Sequence, residues 1–132
     1  MAMVPSANAA TIIRVILAVP HVRTRAAIRA ALEGTGDIVV VAELGSPLRL
    51  AQMARSENAN AVVVDLRLIP PGTSPSLADV VASRGDIRVV AVGLDGDPAF
   101  ARAALRAGAD AHVLTDAAPE IYLRAVRGFR PG

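Results

Sequence analysis

The chain has no cysteine and no tryptophan, and only one tyrosine and two phenylalanines. Without thiols there is no disulfide framework, no thiolate nucleophile and no cysteine-ligated metal. Lysine is missing as well, since all 14 basic residues are arginine. That excludes Schiff-base chemistry and the phosphate-gripping lysine of a P-loop. Two histidines, His21 and His112, cannot make a zinc site by themselves. No apolar run approaches the ~20 residues of a membrane span, because Arg14 interrupts TIIRVILAVP. The start, MAMVPSANAAT, lacks a basic region before its first apolar segment and does not read as a secretion signal. The expected location is cytoplasmic. The pI near 10.4 suggests nucleic-acid binding, yet the net charge is only +2. Arginine's high pKa inflates a pI without creating a strong field at neutral pH. With 2% aromatics and no basic run, there is little to stack on bases. Direct nucleic-acid binding by these residues is therefore not expected.

What is present is apolar: 53% hydrophobic residues in a chain of 132, with a mean hydropathy of +0.45. That suffices for one domain with a buried core. Five short, β-branched runs recur at Ile12–Ala18, Ile38–Ala42, Ala61–Val64, Ile87–Val92 and Ala111–Leu114. They are continuously apolar rather than alternating, as parallel strands covered on both faces should be. Segments with helical spacing lie between them. Val22, Ala26, Ala27, Ala30 and Ala31 mark one stripe, widened by Ile28 and Leu32; Phe100, Ala104 and Ala107 mark another. A third comprises Ile121, Ala125, Val126 and Phe129. Ser46-Pro47, Asp97-Pro98 and Ala118-Pro119-Glu120 read as helix starts, with Asp116 a dipole-matched acid nearby. Gly34-Thr35-Gly36 and Gly108 read as stops. The segment IPPGTSPS (69–76) reads as a proline-stiffened loop, with only Leu77–Ala82 helical after it. Five β-α units predict an α/β, doubly wound five-stranded parallel sheet with right-handed crossovers. Residues 1–10 read as a flexible leader, 11–129 as the single domain, and 130–132 as a tail or the start of a linker.

In such a sheet, ligands bind beyond the carboxyl ends of the strands. Val19-Pro20-His21 stand there after the first strand, Asp65 of AVVVDLRL after the third, Gly93-Leu94-Asp95 after the fourth and Thr115-Asp116 after the fifth. The segments IRVILA (13–18), DIVVVAE (37–43), VVVDLRL (62–68), DIRVVAVG (86–93) and ALRAGADAHVLTDAAPE (104–120) carry a resemblance. Residues 12–129 resemble a response-regulator receiver domain of the NarL/LuxR type, usually joined to a helix-turn-helix output. The resemblance implies a flavodoxin-like sheet in the order 2-1-3-4-5. It also implies a phosphoacceptor aspartate at the end of the third strand, where Asp65 stands. In that family two acids after the first strand help hold Mg²⁺, and a lysine after the fifth pairs with the phosphate. A Ser or Thr after the fourth strand bonds the phosphate, and an aromatic in the fifth follows it inward.

This chain departs from that set at nearly every position. Val19 and Pro20 replace the acids, Gly93 the hydroxyl, Thr115 the lysine and His112 the aromatic switch. A single carboxylate is a poor site for a hard cation that needs several oxygen ligands, so Mg²⁺ binding is expected to be lost or very weak. Without the metal, attack by Asp65 on an anionic donor is opposed by charge. Asp65 is instead expected to cap a turn, or to pair with Arg67 or a first-helix arginine; a ligand-sensing carboxylate is the alternative. His21 reads as a loop residue, and His112 as packing near a partner-facing surface or as a pH-sensitive contact. GLDGDP (93–98) opens a helix, but Asp95 and Asp97 repel an anion there and Asp97 reads as an N-cap. The bidentate acid of a calcium loop is missing too. Gly34-x-Gly36 precedes a strand and is no dinucleotide fingerprint.

Arg102 and Arg106 of the fourth helix, with Arg124 and Arg127 of the fifth, flank the surface receivers use to dimerise. Asp110, Asp116 and Glu120 are the opposing acids. Arginines 23, 25 and 29 offer a second surface, through the first and fifth helices. The expectation is a phosphorylation-independent homodimerisation and interaction module, not an enzyme, reaching DNA only through an output domain outside these residues. The alternatives are a pseudo-receiver sensing a small-molecule effector in a less polar cleft, and a receiver phosphorylated on Asp65.

Overall fold

Valine and isoleucine pack well on a pleated surface and lose little by being held extended, so the apolar runs become strands. The computed structural model describes residues 12–69, 76–82, 85–93, 96 and 98–128. The leader 1–10, loop residues 70–75, Asp95, Asp97, Phe129 and the tail 130–132 lie outside the described residues. The order along the chain is β1 (Ile13–Ala18), α1 (Val22–Glu33), β2 (Ile38–Leu44), α2 (Leu50–Ser56), β3 (Ala61–Asp65), α3 (Leu77–Ala82), β4 (Arg88–Gly93), α4 (Pro98–Arg106), β5 (Ala111–Leu114) and α5 (Pro119–Arg127). The strands form one sheet in the order β2-β1-β3-β4-β5, and every pairing is parallel. This is the flavodoxin-like, doubly wound arrangement, whose strand order reverses between β1 and β3.

Successive strand residues point to opposite faces, so the sheet divides the core in two. Val15, Leu17, Val63, Val90 and Val92 pack with Ile28, Leu32, Tyr122 and Val126 on the α1/α5 side. Ile16, Val62, Val64, Val89 and Ala91 pack with Leu50, Ala54, Leu77, Val80 and Ala104 on the other. Each large aliphatic buried this way stabilises the fold by roughly 1.5–3 kcal/mol. Ser76 and Asp79 form a reciprocal cap on α3: the Asp79 N–H donates to Ser76 Oγ (3.2 Å), and the Ser76 N–H to Asp79 Oδ2 (2.9 Å). After α4, Gly108 adopts φ +106, and a Cβ there would lie 2.6 Å from Val81 Cγ1. Only glycine lets α4 end against α3 in this way.

Several expectations are corrected. β1 starts at Ile13 and β2 runs on to Leu44, with an irregularity opposite Val15/Ile16. β3 takes in Asp65, and β4 is shifted by one residue to Arg88–Gly93. The alanine stripe of α1 is not its core face: Val22 is 68% exposed, while Ile28 and Leu32 are buried. The face with more hydrocarbon wins the interior, and alanine methyls lose little by staying outside. Helix α2 begins at Leu50, not at Ser46-Pro47. Ser46 Oγ accepts the Leu48 N–H (3.3 Å) and Pro47 O accepts the Leu50 N–H (3.2 Å), so that pair makes a turn ahead of the helix. Phe100 and Ile121 are exposed, and on α5 it is Tyr122 that is fully buried.

Tyr122 donates toward two carbonyl oxygens, Thr115 O (2.8 Å) and Leu114 O (3.1 Å), and so pins the end of β5 to α5. Burial pushes its hydroxyl up to about 12, with the negative charges of Asp65 and Asp116 adding to the effect. Tyr122→Phe should cost about 1–2 kcal/mol by leaving those carbonyls short of a donor; urea denaturation should show a lower midpoint and an unchanged slope. At the opposite end of the sheet, Arg127 Nη2 and Nε hold Asp37 at 2.8 and 3.0 Å, and Thr35 also donates to Asp37. Arg127 first, then Thr35, lowers the Asp37 carboxyl from 3.8 to about 2. A depressed carboxyl stabilises the fold above the unfolded value near 3.8 and loses that contribution as pH falls toward about 2. The difference in stability between the native protein and Asp37→Asn should therefore shrink on acidification through that window, from less than about 1 kcal/mol at neutral pH because the pair is exposed.

Candidate functional site

The reversal of strand order brings the carboxyl ends of β1 and β3 together, with β4 and β5 beside them. Asp65 closes β3 and is 0% exposed, the only buried charged residue among those described. The chain then turns, with the Leu68 N–H donating to Asp65 O (2.9 Å) and the Leu66 N–H to Val92 O (2.8 Å). This turn returns Arg67 over the acid. Its backbone N–H donates to Asp65 Oδ1 (2.9 Å), and Nε to Oδ1 and Oδ2 (3.0 and 3.1 Å). Nη2 completes the fork on Oδ2 at 2.5 Å. Both roles considered for Asp65, the turn cap and the guanidinium pair, are thus supplied by one residue. The bond to Asp65 raises the Arg67 guanidinium above its ordinary value.

The first-helix arginines are engaged elsewhere. Val19 is 0% exposed; its N–H donates to Leu44 O (3.2 Å) and its carbonyl accepts Arg25 Nη1 (2.9 Å). Arg25 Nε also holds Glu43 Oε1 at 2.9 Å, and Arg29 Nη1 holds Glu43 Oε2 at 2.5 Å. Arg29 Nε reaches Glu33 Oε1 (3.0 Å), and Glu33 Oε2 accepts the Val40 N–H (2.9 Å). That backbone bond, then Arg29, lowers the Glu33 carboxyl. This relay joins β1, α1 and β2 beneath Pro20, where the resemblance implies metal-binding acids. Spacing alone did not reveal it; a charged Glu43 closing an apolar run was the available signal. Arg25 and Arg29 are consequently less free as a docking surface than expected, while Arg23 is exposed. His21 sits exposed at the N-cap of α1 and makes no side-chain cap.

On the other side of β3 the expected switch positions do meet. His112 pairs in register with Ala91 and lies toward Gly93. A Cβ on Gly93 would be 3.1 Å from His112 Nε2 and 3.7 Å from Leu66 Cδ1. His112 Nε2 and Thr115 Oγ1 are buried and have no hydrogen-bond partner among the described residues. Burial lowers the His112 pKa below 6.5. Thr115 is fixed through its backbone, its N–H donating to Gly93 O at 2.9 Å.

The donor set does not fit Mg²⁺. Val19 and Pro20 offer no side-chain oxygen, and both Asp65 oxygens already accept from Arg67. No group of three or more His, Cys, Asp or Glu residues able to hold a metal occurs among the described residues. No helix described is long and apolar enough to cross a membrane.

The surface residues divide. Arg102 and Arg106 are exposed on α4, and Arg124 on α5. Arg127 does not join them, because its pair with Asp37 draws it to the amino end of β2. Asp110 is also committed, its Oδ2 accepting the Val89 N–H at 2.8 Å. Asp116 and Glu120 are exposed.

No protein-family model and no curated protein sequence matches the chain. Solved structures do. The signal receiver domain of the response regulator NarL from Mycobacterium tuberculosis is 25% identical with a TM-score of 0.75, covering 88% of this chain and 94% of its own. A LuxR-family two-component response regulator from Aurantimonas sp. is 26% identical with a TM-score of 0.76, covering 88% and 83%. RcsB from Salmonella enterica serovar Typhimurium bound to a promoter shares the fold at 20% identity and a TM-score of 0.73, and this chain covers 59% of it. The structural neighbours are thus receiver domains of NarL/LuxR-type response regulators, and the chain has their fold.

Removing one partner of a buried pair costs more than the pair contributes, since a charge is stranded. Arg67→Ala should therefore destabilise by about 3 kcal/mol, the low end of the usual 3–5 because the guanidinium is partly exposed. Asp65→Asn keeps an acceptor for the turn and should cost about 1–2 kcal/mol. In a chemical-denaturation double-mutant cycle, the two losses should fall well short of adding.

Proposed function

We propose that this chain is a receiver domain that signals without phosphorylation, as a dimerisation and protein-interaction module controlling a helix-turn-helix output outside these residues. The observation that carries this reading is Asp65, fully buried and with both oxygens taken by Arg67. A phosphoacceptor must present a free carboxylate oxygen in line with the incoming phosphorus, with positive charge ready for the three equatorial oxygens. Here the nearest positive charge is already spent on the nucleophile. Gly93 has no hydroxyl to read out a phosphoryl group, and Thr115 has no charge to pair with one. Among the described residues no nucleophile–base pair or metal set can be assembled, which argues against an enzyme. The cytoplasm is the compartment that suits such a module.

Self-association through α4, β5 and α5 is the pairing the surface favours. Phe100 and Leu105 of α4, Leu114 of β5 and Ile121 of α5 are each 38–48% exposed. Arg102, Arg106 and Arg124 stand beside them, with Asp116 and Glu120 as candidate partners across an interface. The α1/α5 route is less open, because Ile28 and Leu32 of α1 and Tyr122 and Val126 of α5 are spent on the core. A structural neighbour solved on a promoter, RcsB, is longer than this chain, which covers 59% of it, and that supports an output beyond this module.

Incubation with a small-molecule phosphodonor, or with beryllofluoride, and Mg²⁺ should leave Asp65 unmodified in intact-mass and fluorine NMR spectra. Stoichiometric labelling at Asp65 would overturn the reading in favour of an ordinary phospho-switch. A large thermal upshift with one small metabolite would favour an effector-sensing pocket instead. Ile121→Glu should raise the dimer dissociation constant at least tenfold in sedimentation velocity, corresponding to about 1.4 kcal/mol, with Val22→Glu on α1 as the neutral control.

A further inference from the structure

The contact between Gly93 and His112 is unexplained by core packing alone. A buried ring nitrogen without a partner is normally avoided, because desolvating it without a hydrogen bond is unfavourable. The ring nevertheless sits against Gly93, where a Cβ would meet Nε2 at 3.1 Å. The seat exists because residue 93 is glycine. Its backbone does not require one, since Gly93 is not among the positive-φ positions.

We propose that His112 and Gly93 form a proton-operated latch. In the neutral imidazole one nitrogen carries a hydrogen and the other a lone pair. Uptake of a proton from solvent puts hydrogens and charge on both, and Nε2–H then has no acceptor among the described residues of the seat. Among the described residues, the charged surroundings offer no relief. Arg88 of β4 and Arg124 of α5 line an open groove of about 230 Å³ that His112 borders. Arg102 and Arg106 are the charges of α4, and Asp110, just before β5, already accepts the Val89 N–H. Asp65 pairs in register with Val92, which places it on the α1/α5 side of the sheet, and Arg67 neutralises it. Asp116 and Glu120, beyond the carboxyl end of β5, are exposed to solvent. The imidazolium therefore leaves its seat toward the β5 edge. It carries charge to the surface bearing Leu114 and Ile121, so a proton becomes an input to that interaction face. The link to partner binding rests on the function proposed above; the latch itself does not.

The sign follows from burial. His112 favours its neutral form when folded, so its seated state is stable above the unfolded value of 6.5 and is lost as pH falls through the lower folded value. The test is NMR of the whole chain titrated from about pH 8 to about pH 5.5. The His112 ring should titrate below 6.5 and lose its nuclear Overhauser contact with the Gly93 α-protons as it does so. Leu114 and Ile121 amide shifts should follow the same midpoint. Gly93→Val fills the seat, so His112 should titrate at its ordinary value and lack that ring contact at every pH. His112→Phe should abolish the acid-induced shifts at Leu114 and Ile121. A ring contact that survives protonation, or unchanged shifts in His112→Phe, would overturn the latch. Should Gly93→Val fail to fold, the wild-type ring contact and His112→Phe decide between these outcomes. Failure of the latch would leave the phosphodonor test of Asp65 untouched.

Discussion

A carboxylate shut away at the end of a central strand has to be neutralised, and much of the local structure around the strand reversal follows from how that is done. A divalent ion would do it reversibly and would leave oxygen positions free for an incoming group. Arg67 does it permanently: the guanidinium cannot be deprotonated in the working pH range, is tethered two residues away, and presents a fork matched to both oxygens. The turn that places it there is built on the same acid, since Oδ1 also accepts the Arg67 backbone N–H. Pair and turn therefore reinforce each other through one carboxylate.

Once the charge of Asp65 is met internally, acids after β1 would only repel it. Val19 and Pro20 are compatible with that state, and the buried Val19 extends the apolar core to the rim of the crevice. Its carbonyl, which still needs a donor, receives one from Arg25, and Arg25 is in turn held by Glu43. Two arginines thus stabilise the top of the sheet from opposite sides of the strand reversal. Neither leaves its carboxylate partner free for chemistry.

How much of this was legible in the chain divides along physical lines. The strands were readable because both faces are buried, so apolarity is continuous and the signal does not depend on phase. Asp65 and its replaced neighbours were readable because each follows a strand end at fixed spacing. The helices were harder. On α1 every alanine counts as apolar although its burial contributes little, and the stripe pointed outward while Ile28 and Leu32 went in. On α5, Ile121 and Tyr122 are adjacent and only one can face the sheet. The tyrosine wins because its hydroxyl finds two carbonyls at the end of β5. Long side chains defeated the surface reading: Arg127 reaches Asp37, ninety positions away in sequence, and no local pattern encodes that pairing. Gly93 and His112 were legible as switch positions, but their direct contact depends on the register between neighbouring strands, which no local pattern encodes.

The two helices flanking β5 are not held alike, and that decides where a signal can travel. Tyr122 pins α5 near its start, while Arg88 Nε donates to Ala125 O (2.5 Å) and Arg127 binds Asp37 near its end. Tyr122, Ala125 and Val126 are all buried beneath it. Helix α4 buries Ala104 alone among its described residues. Local opening free energies follow buried apolar area and hydrogen bonding, so α4 and the α4-facing side of β5 are the parts of this face able to move at low cost. His112 lies on that side, between a glycine and an open groove. On the function proposed above, with Asp65 held by Arg67, this low-cost mobility would answer to whatever moves the imidazole or binds across α4 and β5.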